Sequence, residues 1–205
     1  MDKVSDYYLM CGIKKGWHSK SLDDFTNDDE ALAHVKNYLR KFAEAKESGV
    51  GLYLWGSNGT GKTHLMCCAF KELISRKQTV RVFTIDEIVD QFTASWYSPE
   101  HKRELNHMLR TVDFLGIDEF GKNVGKDGEA IYLPDMVKRI MESVIRFRVQ
   151  MKRPIWFSSN TDPKFVREVF SEDIASLLNE AVIDVCVRGE DYRKIVQRNN
   201  KKRFL

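Results

Sequence analysis

The stretch Gly51-Leu-Tyr-Leu-Trp-Gly-Ser-Asn-Gly-Thr-Gly-Lys-Thr63 is an apolar strand that runs directly into a glycine-rich loop ending in Lys-Thr. Gly56 to Thr63 fits G-x-x-x-x-G-K-[ST], a pattern whose small residues let backbone N–H groups turn inward on the β- and γ-phosphates of a nucleotide. Gly56, Ser57, Asn58, Gly59, Thr60 and Gly61 form the cradle, Lys62 supplies a point charge, and Thr63 supplies a hydroxyl for Mg²⁺. The loop opens a helix, so unpaired N–H groups and the helix dipole favour the same anion. A strand before and a helix after distinguish this pattern from a chance glycine turn.

The chain around this loop has 205 residues, a formal net charge of +3, and 42% hydrophobic and 31% charged residues. That length accommodates one full α/β domain with a sizeable core and excludes two large ones. No apolar run approaches the ~20 residues that span a bilayer. Met1-Asp-Lys-Val-Ser-Asp6 lacks the basic-then-apolar order of a secretory signal, so a cytoplasmic location without a membrane partner is expected. Cys11, Cys67, Cys68 and Cys186 form no C-x-x-C pair and have no His at zinc spacing, which reads as reduced thiols. The small net charge does not by itself imply a nucleic-acid partner.

Upstream of the loop, Tyr7-Tyr8-Leu9-Met10 and Trp17 to Phe25 form an aromatic segment with two readings, packing beside the domain or docking a partner. A helix capped by Asn27 or Asp28 follows, with Ala31, Leu32, Val35, Tyr38, Leu39 and Phe42 at helical spacing, and Glu47-Ser-Gly49 ends it. Downstream, the pattern predicts a helix over 62–75, a strand over 80–84 and a helix over about 86–96. Pro99 then opens a helix carrying His101, Lys102, Arg103, His107 and Arg110, whose charge is either a solvated face or a nucleic-acid contact.

Residues 113–119, Asp-Phe-Leu-Gly-Ile-Asp-Glu, form an apolar strand ending in two adjacent acids. Asp118 at the carboxyl end of a central parallel strand can reach the Mg²⁺ shell, and Glu119 can orient and deprotonate a water for in-line attack on a γ-phosphate. After a glycine- and lysine-containing loop and a helix over about 132–148, Pro154 to Asn160 forms another short buried strand. Asn160 is placed either to hold the attacking water or a γ-phosphate oxygen, or to cap the turn into Asp162-Pro163. Residues 163–179 are helical in pattern with a split near Ser171, 182–188 form a last strand, and Gly189-Glu-Asp-Tyr-Arg193 leads to a basic tail with Lys201, Lys202 and Arg203, solvated or touching DNA phosphates. The alternation of strands and helices implies a parallel sheet covered on both faces.

Taken together, G-S-N-G-T-G-K-T at 56–63, I-D-E-F-G at 117–121, F-S-S-N at 157–160 and G-E-D-Y-R at 189–193 resemble the AAA+ ATPases that load bacterial replicative helicases. Transposition-helper ATPases share the core motifs, and replication-initiator ATPases are more distant. The resemblance spans residues 17–198, leaving 1–16 as a short segment for partner docking and 199–205 as a basic tail. It implies an ASCE P-loop fold, a parallel five-stranded sheet in the order 5-1-4-3-2 with a small or reduced lid. It further implies ATP and Mg²⁺ as cofactors, with Asp118 reaching the metal through water beside Thr63. By the same resemblance Glu119 is the catalytic base, Asn160 sensor one and Arg193 sensor two, and the partners are a replicative helicase, single-stranded DNA and further copies of the chain in an oligomer or filament.

Two departures stand out. Ile174-Ala-Ser-Leu-Leu178 puts Leu177 where the family carries its arginine finger, leaving Arg146, Arg148, Arg167 or Arg188 as substitutes, or an ATP-binding switch with weak hydrolysis. Only residues 1–16 precede the similarity, so helicase binding is expected to use Met1 to Gly16 or the core, as in a small phage or mobile-element loader acting in the host cytoplasm. Phe92, Trp96, Tyr97, Lys102 and Arg103, with Lys122 and Lys126, are the expected single-strand contacts. Rival readings are a transposition helper on duplex DNA and a non-catalytic module that binds or inhibits a host helicase.

Overall fold

A computed structural model describes residues 3–95, 98–120, 135–164 and 171–204. Five parallel strands, β1 (Gly51–Trp55), β2 (Val80–Thr84), β3 (Phe114–Asp118), β4 (Ile155–Ser159) and β5 (Val182–Cys186), lie in the order β2-β3-β4-β1-β5. This is the predicted 5-1-4-3-2 order read from the opposite edge. The central strands β3 and β4 are buried along their whole length, as near-continuous apolar runs should be when both faces are covered. Tyr53 and Ile117 both lie opposite Phe157. The carboxyl ends of β1, β3 and β4 therefore reach one rim together, and that rim carries the chemistry.

One face of the sheet is covered by α2 (Asp29–Arg40), α3 (Phe42–Ser48) and α4 (Lys62–Ser75), packed around Leu54, Phe70 and Trp156. The other is covered by α5 (Ile85–Ala94), α6 (Pro99–Thr111), α7 (Asp135–Gln150) and α8 (Glu172–Ala181), packed around Ile117, Met141 and Phe157. Local chemistry explains the helix starts. Asp28 caps α2 by accepting from Glu30 N–H and Ala31 N–H, Thr84 and Glu87 form a capping box on α5, and Ser98 with Pro99 opens α6.

The single helix expected from residue 28 to Gly49 is broken at Lys41. The carbonyl of Leu39, which a continuous helix would use internally, instead accepts from the Arg76 guanidinium, which lies over the Phe42 ring. At the N-terminus, α1 (Lys3–Met10) exposes Val4, Tyr7, Leu9 and Met10. Cys11 and Ile13 are buried, and the Cys11 carbonyl accepts from Val82 N–H at 2.8 Å on the edge of β2. Tyr8, Trp17 and Phe25 pack against the core, so the aromatic segment divides between packing and exposure. Beyond β5, α9 (Tyr192–Phe204) runs through the boundary expected at residue 198. Trp96, Tyr97, Lys122, Lys126, Arg167 and the side chain of Lys202 lie outside the described residues. Among the described residues, no helix is long and apolar enough to cross a membrane.

Candidate functional site

The rim opens into a cleft lined by the phosphate loop, Asp118, Glu119, Ser158, Asn160, Tyr192 and Arg193 together with Trp17, Phe25 and Asn27. The loop is shaped to stay open. Gly61 has φ +99, and a Cβ there would come within 2.6 Å of Phe25 Cε2; Gly59 has φ +79, and a Cβ there would overlap the Asp191 carboxylate. Asn27, one of the two predicted caps, serves elsewhere: its amide donates to Thr60 O at 3.2 Å and to Glu190 O at 2.7 Å. Tyr192 N–H donates to Gly59 O at 3.1 Å. The tip of the loop is thus clasped between residues before α2 and residues after β5.

Lys62 bends back over the loop, donating to Gly56 O at 2.8 Å and Ser57 O at 2.7 Å. Burial pulls its pKa down to about 8, against an upward pull from Asp118 and a further downward push from Arg193. Thr63 Oγ1 donates to Asp118 Oδ1 at 2.9 Å and Oδ2 at 3.1 Å. That pairing fits a Mg²⁺ site. The Thr63 proton is committed to Asp118, which leaves the Thr63 lone pairs for a cation, and the carboxylate lies behind them.

Glu119 follows directly at φ +56, a left-handed conformation uncommon for a non-glycine residue and frequent at functional turns. Its N–H donates to Ser158 Oγ at 3.3 Å, and Ser158 Oγ donates to Asp118 Oδ1. Sequence reasoning singled out Asn160 in F-S-S-N and passed over Ser158. The available signal was a pair of serines ending an apolar buried strand next to the acid-ended one.

Asn160 lines the cleft, while the turn after it is closed by Ser159 Oγ accepting from Thr161 N–H at 3.0 Å and Asp162 Oδ1 accepting from Lys164 N–H at 2.8 Å. Arg193 lines the same cleft from the start of α9. At the other end, His64 stacks on Trp17 with ring centroids 5.5 Å apart and meets the edge of Phe25 at 5.7 Å. His64 Nε2 donates to Ser21 O at 2.8 Å, and burial lowers its pKa, so the ring is a neutral donor on that side. These rings were not predicted as cleft residues because packing, not a motif, brings them there.

Of the substitutes for the finger, Arg148 is wholly internal. It is 0% exposed and donates to the carbonyls of Leu109, Val112, Asp113 and Pro154. Arg188 is exposed and pairs with Glu30 at 3.1 Å, and Arg146 pairs with Asp173 at 3.8 Å. Leu177 packs against the core. Among the expected single-strand contacts, Phe92 is a core residue and offers no ring for stacking, whereas Lys102 and Arg103 are exposed beside Arg110, whose guanidinium lies 5.1 Å from the Phe147 ring centroid.

Comparison with known proteins places this site in context. A family model described as AFG1-like ATPase matches residues 18–202. The replicative helicase loader DnaI of Bacillus subtilis is 26% identical over 138 residues, 67% of this chain and 42% of that protein. The replicative helicase loader DnaC of Escherichia coli is 26% identical over 187 residues, 89% of this chain and 69% of that protein. The chain thus spans less than half of the first of these relatives and about two thirds of the second. A crystal structure of the DnaC helicase loader superposes with a TM-score of 0.72 at 18% identity, covering 85% of this chain and 100% of that one, a likeness of fold.

Proposed function

The chain belongs to the AFG1-like ATPase family, and from that premise we propose that it binds and hydrolyses ATP as a replication factor that controls assembly of a replicative helicase on single-stranded DNA. The observation that carries the ATPase half is the joining of the phosphate loop to the acid-ended strand through Thr63 and Asp118. The two relatives named as replicative helicase loaders support the other half. In this reading the loop N–H groups and Lys62 bind the phosphates. Thr63 and Asp118 are the residues that would hold Mg²⁺, which when bound would neutralise phosphate charge. Glu119 takes the proton of the attacking water, whose oxygen bonds to the γ-phosphorus as the bridging P–O bond breaks and ADP leaves. Asn160 and Arg193 face the same phosphates, and the Trp17, Phe25 and His64 end receives the base.

A non-catalytic ATP switch is the second reading, favoured by Leu177 packed at the place of the finger. Turnover measured with and without single-stranded DNA separates the two. Hydrolysis should fall by about 10²-fold or more in Glu119→Gln while nucleotide binding persists; turnover unchanged by that substitution removes Glu119 from the chemistry. Affinity capture that returns a transposase and no helicase would replace the loader reading with the transposition helper.

A further inference from the structure

Ser158 lies on β4 beside Asp118, continuing the register in which Ile117 faces Phe157, and is 2% exposed. It bonds to three consecutive residues at the end of β3. Its hydroxyl donates to Asp118 Oδ1, the same oxygen atom accepts from Glu119 N–H at 3.3 Å, and its carbonyl accepts from Phe120 N–H at 2.8 Å. Glu119 sits between these bonds at φ +56, a conformation a non-glycine side chain keeps only where its surroundings hold it.

A hydroxyl in a fully buried strand is retained at a cost unless both its proton and a lone pair are used, and here both are spent on the two acid residues. Thr63 grips the same carboxylate from the other side, with bonds to both oxygens. Thr63 is the residue assigned to the metal. Ser158 is buried and its oxygen also accepts from Glu119 N–H, so its part is to hold and not to ligate.

We propose that Ser158 is a positioning residue for Mg²⁺-dependent nucleotide binding: its hydroxyl fixes the Asp118 carboxylate opposite Thr63 and, through the Glu119 N–H, sets the left-handed turn from which the Glu119 side chain leaves. The proposal rests on the nucleotide site described above and adds to it the residue that orients both acids. Groups that orient the residues around a metal typically change its affinity by about 10–100-fold when removed.

The test is a Mg²⁺ titration of fluorescent ATP-analogue binding, with the thermal midpoint of each variant recorded alongside. Ser158→Ala should bind the analogue in EDTA within about twofold of the parent chain yet need about 10–100-fold more Mg²⁺ to reach its tighter state. Ser158→Thr, which keeps the hydroxyl, should return the Mg²⁺ requirement toward the parent value. A parent-like Mg²⁺ requirement in Ser158→Ala overturns the proposal. So does an equal loss of affinity in EDTA and in Mg²⁺, or outright unfolding of Ser158→Ala, since either makes Ser158 a folding residue only. Turnover insensitive to Glu119→Gln defeats the hydrolysis reading alone, because the Mg²⁺ titration reads binding and still decides the role of Ser158.

Discussion

Lys62 keeps a positive charge in a place that resists it. Burial lowers its pKa from 10.5 to about 8, so between those values the folded chain holds fewer protons than the unfolded one. Folding stability from this residue therefore rises with pH across that window, while its attraction for phosphate moves in the opposite direction, declining as pH climbs through about 8. Nucleotide affinity should drop several-fold between pH 7.5 and 9.5, with proton uptake on binding, which calorimetry in buffers of different ionisation enthalpy reads directly. A flat profile would mean that Lys62 stays charged without its ligand. The identity of this lysine was legible in G-K-T, because the motif is local. Its depressed proton affinity was not, because that comes from burial and from Arg193 at the far end of the chain.

Arg148 shows the same limit for whole elements. The sequence offered it as a substitute finger, yet its guanidinium enters the interior and takes up carbonyls at the end of α6, before β3 and before β4. Three segments are fastened to α7 by one side chain. Arg148→Met keeps much of the volume but leaves those acceptors without donors, which should cost about 3 kcal/mol. For a chain of this size that lowers the melting temperature by roughly 6–12 °C in calorimetry; a change below about 2 °C would show that other donors replace the guanidinium. Apolar runs made β1, β3 and β4 plain in the sequence, and Asp28 and Pro99 marked helix starts, whereas the caps at Thr84 and Ser98 were not singled out. The break at Lys41 and the hold of Ser158 on two acids were not legible, since each depends on a partner more than thirty residues away.

At the scale of the molecule, the cleft holds cradle, lysine, paired acids and Arg193, and Leu177 stands where an arginine was expected. With Arg148 committed to the interior, Arg146 and Arg188 are the exposed candidates among the described residues. If a second copy supplies the missing charge, turnover per molecule should climb with protein concentration, and one of Arg146→Ala or Arg188→Ala should lower the plateau by about 10³-fold without weakening nucleotide binding. Turnover per molecule that is independent of concentration would favour the switch reading.

The clasp over the phosphate loop also has a temporal side. Asn27 meets Glu190 across 163 positions, and Asp28 accepts from Arg188 N–H across 160. Contacts of such separation form late, because closing the intervening chain has to precede them. A growing polypeptide that has already made the whole phosphate loop still lacks the residues that brace its tip. Competence to hold a nucleotide therefore waits until residues 188–190 have been made, and a ligand that stabilises the loop stabilises the segments around residues 27 and 190 together.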